Sequence, residues 1–126
     1  MRAFGAALAE ELDAGDLVVL SGDLGAGKTT LTQGIAAGLG VRERVTSPTF
    51  VIAHVHRDGR VPLIHVDAYR LGSVAEVEDL DLDLDSAVTV VEWGEGLVEQ
   101  LAERHLLVRI ERGEGDDREV EVLRGR

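Results

Sequence analysis

The chain has 126 residues, 44% of them hydrophobic and 29% charged, with no cysteine and a formal net charge of −11. That length suits one globular domain, 1–126, around one core; the lack of cysteine, of a membrane-length apolar run and of a basic-then-apolar leader fits a cytoplasmic protein. The charge disfavours unaided binding to DNA or RNA, whose phosphates need clustered cations, so any nucleic acid in this protein's pathway is expected to be held through a partner.

Residues 2–14 read as a helix with a weak apolar stripe at Phe4, Leu8 and Leu12 and a polar edge at Glu11. Gly15-Asp16 breaks it. Asp16–Leu20 is a short apolar run of strand type. It feeds directly into Ser21–Thr30, SGDLGAGKTT, around which the chain is organised.

Gly22-Asp23-Leu24-Gly25-Ala26-Gly27-Lys28-Thr29 is a complete G-x-x-x-x-G-K-[ST] phosphate-binding loop, continued by Thr30. Glycines at 22, 25 and 27 let the backbone turn with no Cβ in the way, so that successive N–H groups can hold phosphate oxygens. Lys28, the sole lysine of the chain, would place a mobile positive charge on the terminal phosphates. The Thr29 hydroxyl can ligate Mg²⁺, which reaches proteins through few protein oxygens plus phosphates. A helix over 28–39 follows, with Leu31, Ile35 and Leu39 on one face, its N-terminus toward the anion and Gly40 as stop signal. Gly34 and Gly38 inside it each cost about 1 kcal/mol against alanine, and close packing on the sheet is the expected compensation.

Val45–Phe50 reads as a loop in which Pro48 biases Ser47 to extended geometry. The flanking hydroxyls Ser47 and Thr49 fit a switch-like loop sensing the γ-phosphate or Mg²⁺, and equally an ordinary turn. Phe50–Val55 reads as a strand, followed by a turn at Asp58-Gly59. Val61–Asp67 and Ala87–Glu92 are apolar runs ending in carboxylates and read as buried strands. In an open α/β sheet the site lies beyond the carboxyl ends of the strands. Strands parallel to the one feeding the loop would deliver Asp67 and Glu92 to the edge that carries Lys28. Nucleotide hydrolysis needs an acceptor for the magnesium shell and a group orienting the attacking water there, and two strand-end acids suit those jobs.

The acidic stretch Asp79–Asp85 alternates like a half-buried strand, yet Leu80 and Leu84 also fit a helix turn. It lacks the glycine and terminal glutamate of a calcium loop. A helix is expected over 95–104, then a strand at 106–110, a turn at 113–117, a returning strand at 118–123 and a frayed charged end. His54 and His56 share a strand face, but no third ligand accompanies them; His65 reads as a packed residue beside Asp67. The fold expected is α/β and P-loop NTPase-like: a mixed, mostly parallel sheet flanked by helices, with an antiparallel C-terminal hairpin.

Gly22–Thr30, Ser47-Pro-Thr-Phe50, His65-Val-Asp-Ala-Tyr-Arg70 and Val91-Glu-Trp93, in that order, resemble the small bacterial ATPase family of tRNA threonylcarbamoyladenosine (t⁶A37) biosynthesis. The resemblance implies an ATP- and Mg²⁺-dependent ATPase, slow alone, that supports a threonylcarbamoyl transferase and its inactive paralogue. Those partners modify adenosine 37 of tRNAs reading codons that begin with A. It implies that Lys28 binds the β/γ phosphates and Thr29 the metal, with Asp67 and Glu92 acting at the metal and on the water; which does which stays open. Ser47 and Thr49 would form a switch loop. Tyr69 and Arg70 would brace the site or meet the partner, Trp93 would pack beside the nucleotide or the partner, and Arg118 would lie near the nucleotide. The family commonly carries a strand before the first helix that contributes near the base, so either the start of this chain lies upstream of Met1 or that contact is lost. Gly94 stands where proline commonly follows the tryptophan.

Three rival functions bear comparison. A GTPase needs an N-K-x-D element, and this chain has no asparagine and no lysine outside the loop. A small-molecule kinase would add an arginine-rich lid that is not visible. A nucleotide-gated binding module, in which hydrolysis only resets a regulator, overlaps the family reading.

Overall fold

The apolar runs at 17–21, 63–67 and 88–92 lie side by side as parallel strands, the arrangement that continuous hydrophobic sequence, buried on both faces, favours. The structure, a computed structural model, describes residues 2–22, 27–42, 45, 53–67, 84–92, 105–112 and 118–125. In chain order these form α1 (Arg2–Ala9), β1 (Leu17–Ser21), α2 (Lys28–Gly38), β2 (Ala53–His56), β3 (Leu63–Asp67), a 3-10 turn (Leu84–Ser86), β4 (Val88–Glu92), β5 (His105–Arg112) and β6 (Arg118–Gly125). They build a 6-stranded sheet of order β2-β3-β4-β1-β5-β6. The inner strands β3, β4, β1 and β5 are parallel, and the edges β2 and β6 are antiparallel to their neighbours. This is the mixed, mostly parallel P-loop-like sheet expected, with its C-terminal hairpin formed by β5 and β6.

Strand registers sort the side chains by face. Val18 and Leu20 of β1, Val90 of β4 and Val108 of β5 share one face, where they form a core with Leu8 and Leu12 at the α1 end and Leu31 and Ile35 of α2. On the other face Leu17, Val19, Ile64, Val66 and Val91 are also buried. With both faces buried, β1, β3 and β4 have no room for the polar alternation of a one-sided sheet, whereas β5 alternates buried Leu106, Val108 and Ile110 with half-buried Arg109 and exposed Glu111.

α1 is shorter than the 2–14 expected. Beyond Ala9 the chain tightens into i→i+3 hydrogen bonds from Glu10, Glu11 and Leu12 to Ala7, Leu8 and Ala9. Arg60 then donates to the carbonyls of Ala9 and Leu12 at 2.8 and 2.7 Å, a second bond for Ala9 and a partner for Leu12 where the helix end leaves carbonyls open. The buried stripe also differs: Gly5, Leu8, Ala9 and Leu12 face inward, while Phe4 is 38% exposed.

The compensation for glycines in α2 is helix against helix, not helix against sheet. A Cβ on Gly34 would run into the backbone of Arg2, and one on Gly38 would sit 2.6 Å from the Ala9 Cβ and 2.8 Å from the Ala6 carbonyl. Gly5 faces them from α1, where a Cβ would lie 2.5 Å from the Leu31 carbonyl. Three glycines thus let two helices approach backbone to backbone. α2 ends as expected at Gly40, with φ of 85°; Val41 N–H donates to Ala36 and Gly40 N–H to Ala37, a Schellman closure.

Other boundaries move. β2 covers Ala53–His56 at the sheet edge. Within the acidic stretch, Leu84–Ser86 is a 3-10 turn. β6 continues to Gly125 opposite His105, so the end expected to fray is paired through Gly125. The expected switch loop with Ser47 and Thr49, residues 79–83, Tyr69, Arg70, Trp93 and the 95–104 helix lie outside the described residues.

Candidate functional site

The phosphate loop begins where β1 leaves the sheet. The apolar residues of β1 are all buried, and Gly22, next after Ser21, has φ of 149°, a value side chains rarely tolerate. Asp23, Leu24, Gly25 and Ala26 lie outside the described residues. Gly27 caps α2 with φ of 111° and ψ of 17° in the left-handed region, which explains why a glycine precedes the lysine. A glycine cap brings no side-chain acceptor, and the first turn of α2 contains no acidic residue. The positive end of the helix therefore carries no capping carboxylate, a setting that suits an anion.

Lys28 is buried, 5% exposed, and its Nζ donates to the Gly22 carbonyl. The bond ties Gly22 to Lys28 and gives the buried ammonium a polar partner, without which its burial would be costly. Thr29 and Thr30 are half-buried beside it. Thr32 is turned away, its hydroxyl donating back to the Lys28 carbonyl at 2.9 Å.

The two expected acids end adjacent parallel strands in register: Asp67 of β3 is opposite Glu92 of β4, and Glu92 is opposite Leu20 of β1. Side chains paired across neighbouring strands share a face. Leu20 faces the core that contains α2, so both carboxyl-bearing residues lie on the α2 face of the sheet, one row before Ser21 and the loop. Asp67 is half-buried and Glu92 is buried. Arg118 opens β6 opposite Arg112, and because β5 runs past Ser21, which pairs with Arg109, its backbone stands at the same rim.

His65 is packed beside Asp67 as expected, but one contact it makes was not legible in the sequence. His65, on the same face of β3 and two residues before Asp67, is fully buried, and its Nε2 lies 2.6 Å from Oε2 of Glu92. The local pattern His-x-Asp on a strand places both side chains on one face, but nothing local says that the histidine meets an acid 27 residues away. His54 and His56 sit on the edge strand with rings 6.2 Å apart, edge to face. Among the described residues no three His, Cys, Asp or Glu side chains form a metal cluster.

Comparison with known proteins gives a consistent result. The family described as "Threonylcarbamoyl adenosine biosynthesis protein TsaE" matches residues 1–120. The tRNA threonylcarbamoyladenosine biosynthesis protein TsaE of Streptomyces coelicolor is 64% identical over 122 residues, covering 92% of this chain and 82% of that protein. The protein of the same name from Bacillus subtilis is 47% identical over 109 residues, covering 84% of this chain and 68% of that one. The crystal structure of Bacillus subtilis YdiB superposes with a TM-score of 0.78 at 36% identity, over 98% of this chain and 77% of that chain.

Proposed function

The chain belongs to the TsaE family of threonylcarbamoyl adenosine biosynthesis proteins, and on that premise we propose that it is the ATP-hydrolysing subunit of the modification system. In this reading ATP with Mg²⁺ binds the 22–29 loop. Hydrolysis supports the threonylcarbamoylation of adenosine 37 in tRNAs reading codons that begin with A. A threonylcarbamoyl transferase and its inactive paralogue hold the tRNA and do the transfer, which suits an acidic chain with net charge −11.

The observation that carries the reading is the common rim. Lys28 is bonded to Gly22, two residues past Leu20, and Leu20 is in register with Glu92, itself opposite Asp67. The loop amides and the α2 N-terminus hold the phosphates, and Lys28 exchanges the Gly22 carbonyl for a phosphate oxygen. The remaining donors suit a hard divalent cation: the Thr29 hydroxyl and two carboxyl groups, with no thiolate. Such an ion needs no cluster of three protein ligands, because phosphate and water complete its shell. When bound, it neutralises charge on the phosphate oxygens. Asp67 and Glu92 divide the remaining work between the metal shell and orientation of the attacking water. The buried setting of Glu92 keeps its carboxyl group in one place and away from bulk solvent.

The test is ATP turnover and tRNA modification with the partner proteins added, comparing wild type with Lys28→Ala and Glu92→Ala. Both variants should lose modification while keeping the fold. Normal modification by either would remove the proposed role. A Glu92→Ala protein that binds ATP, does not hydrolyse it and still completes one round of modification would favour a nucleotide-gated module.

A further inference from the structure

We propose that His65 is a positioning residue for Glu92, fixing through its Nε2–H the direction in which the Glu92 carboxylate faces the nucleotide. The inference rests on the reading of Glu92 as a group that acts on the nucleotide.

The geometry is particular. Glu92 has Asp67 directly opposite it on β3, and His65, opposite Val90, is its diagonal neighbour. Diagonal positions on adjacent strands are about 7–8 Å apart, too far for small side chains and within reach of a long carboxylate meeting an aromatic ring. Glu92 therefore leans back along the sheet, toward the core, to the 2.6 Å contact with His65. His65 is 0% exposed and the Glu92 side chain 5% exposed, so water does not compete for the bond. The imidazole has little freedom: Val18 and Val90 of the same core lie in its row of the sheet.

The chemistry of the pair sets the direction of the bond. If Glu92 is ionised, its carboxylate only accepts, and the contact then requires Nε2 to carry the proton and donate. In the neutral ring Nδ1 is then a bare acceptor, and it has no hydrogen-bond partner among the described residues although it is buried. His65 spends its single useful hydrogen bond on the acid of the site. Without it, a flexible two-methylene side chain would sample several rotamers at the rim, and a carboxylate that must align a water loses rate when its direction is loose. Partners that orient an acting group typically contribute ~10–100-fold to activity.

The experiment compares His65→Gln with His65→Asn in the full-length chain with the partner proteins added. A glutamine amide reaches the place of Nε2, and an asparagine amide reaches only that of Nδ1. His65→Gln should keep kcat within about threefold of wild type. His65→Asn should lose ~10–100-fold in kcat, with the ATP Kd and KM changed less than about twofold. Thermal unfolding run alongside should show equal stability for the two polar variants. In a Glu92→Gln background, which itself should be strongly impaired, adding His65→Asn should cost nothing more, because the residue it positions no longer acts. Equal kcat for the Gln and Asn variants, or full multiplication of the two losses, would overturn the role of His65 alone. Wild-type turnover by Glu92→Gln would overturn the underlying assignment of Glu92, and the positioning role with it.

Discussion

Asp67 stands directly opposite Glu92 at the carboxyl ends of two adjacent parallel strands, placing two acids side by side on the sheet face that packs against α2. Like charges directly opposite each other destabilise a sheet, by roughly 0.2–1 kcal/mol for an ordinary pair. On the proposed reading, a cation received between the two acids would relieve that repulsion.

Magnesium–ATP should therefore raise the stability of the folded chain measurably. At a hundredfold excess over Kd, binding to the folded state alone contributes about 2.7 kcal/mol. Chelation of the metal should remove most of that gain, and Asp67→Asn should show a much smaller gain at the same ligand concentration. Thermal unfolding with ATP, with and without EDTA, reads both; an equal shift in the variant would take Asp67 out of the metal shell.

Lys28→Ala should weaken ATP by about 10–100-fold, since charged hydrogen bonds are worth about 1.5–3 kcal/mol and this one must transfer from the Gly22 carbonyl to phosphate. Secondary structure by circular dichroism should be unchanged. A fluorescent-nucleotide titration with unchanged Kd would contradict that transfer.

Gly34→Ala should destabilise the protein, against the expectation from helix propensity. Alanine gains about 1 kcal/mol over glycine in a helix interior. The added Cβ, however, meets the backbone of Arg2, which cannot rotate aside as a side chain could. Overpacking of this kind costs about 1–3 kcal/mol, so the net change should be a loss, read as a lower urea midpoint with unchanged slope. A raised midpoint would mean that α1 and α2 are not this close.

Arg60→Ala should cost about 1 kcal/mol, and Asp13→Ala close to nothing. Arg60 donates to two backbone carbonyls where α1 ends; its loss removes the donor to Leu12 and leaves Ala9 with the Leu12 N–H alone. Its 3.2 Å ion pair with Asp13 is exposed, with side-chain accessibilities of 42% and 81%, and such pairs contribute little. Nucleotide affinity should be unchanged in both variants, because this staple joins the end of α1 to the turn before β3, away from the carboxyl ends of the strands. Chemical denaturation of the two single variants separates the contributions.

Much of the site could be read one residue at a time. The loop glycines announce backbone conformations that other residues avoid, and Gly27 and Gly40 have the positive φ their positions suggested. The acids at 67 and 92 end apolar runs, and parallel strands bring such ends to one edge. The misreadings share a cause. Phe4 matched a helical stripe but is partly exposed, because the inward face of α1 is set by its contact with glycines of α2. The glycines of α2 signal a close neighbour, yet a helix interior carries no record of whether that neighbour is a sheet or another helix.

Taken alone, the order of residues determined the phosphate loop, the buried strands and the acids that end them, because each follows from backbone sterics and from periodicities of two or 3.6 residues. Strand order and register decided the rest: that Glu92 sits between Leu20 and Asp67, that His65 reaches it on the diagonal, and that Arg60 closes α1 from 48 residues away. Those contacts depend on which surfaces the chain brings together to bury its core. That choice is made by the packing of the whole, and no local window of sequence contains it.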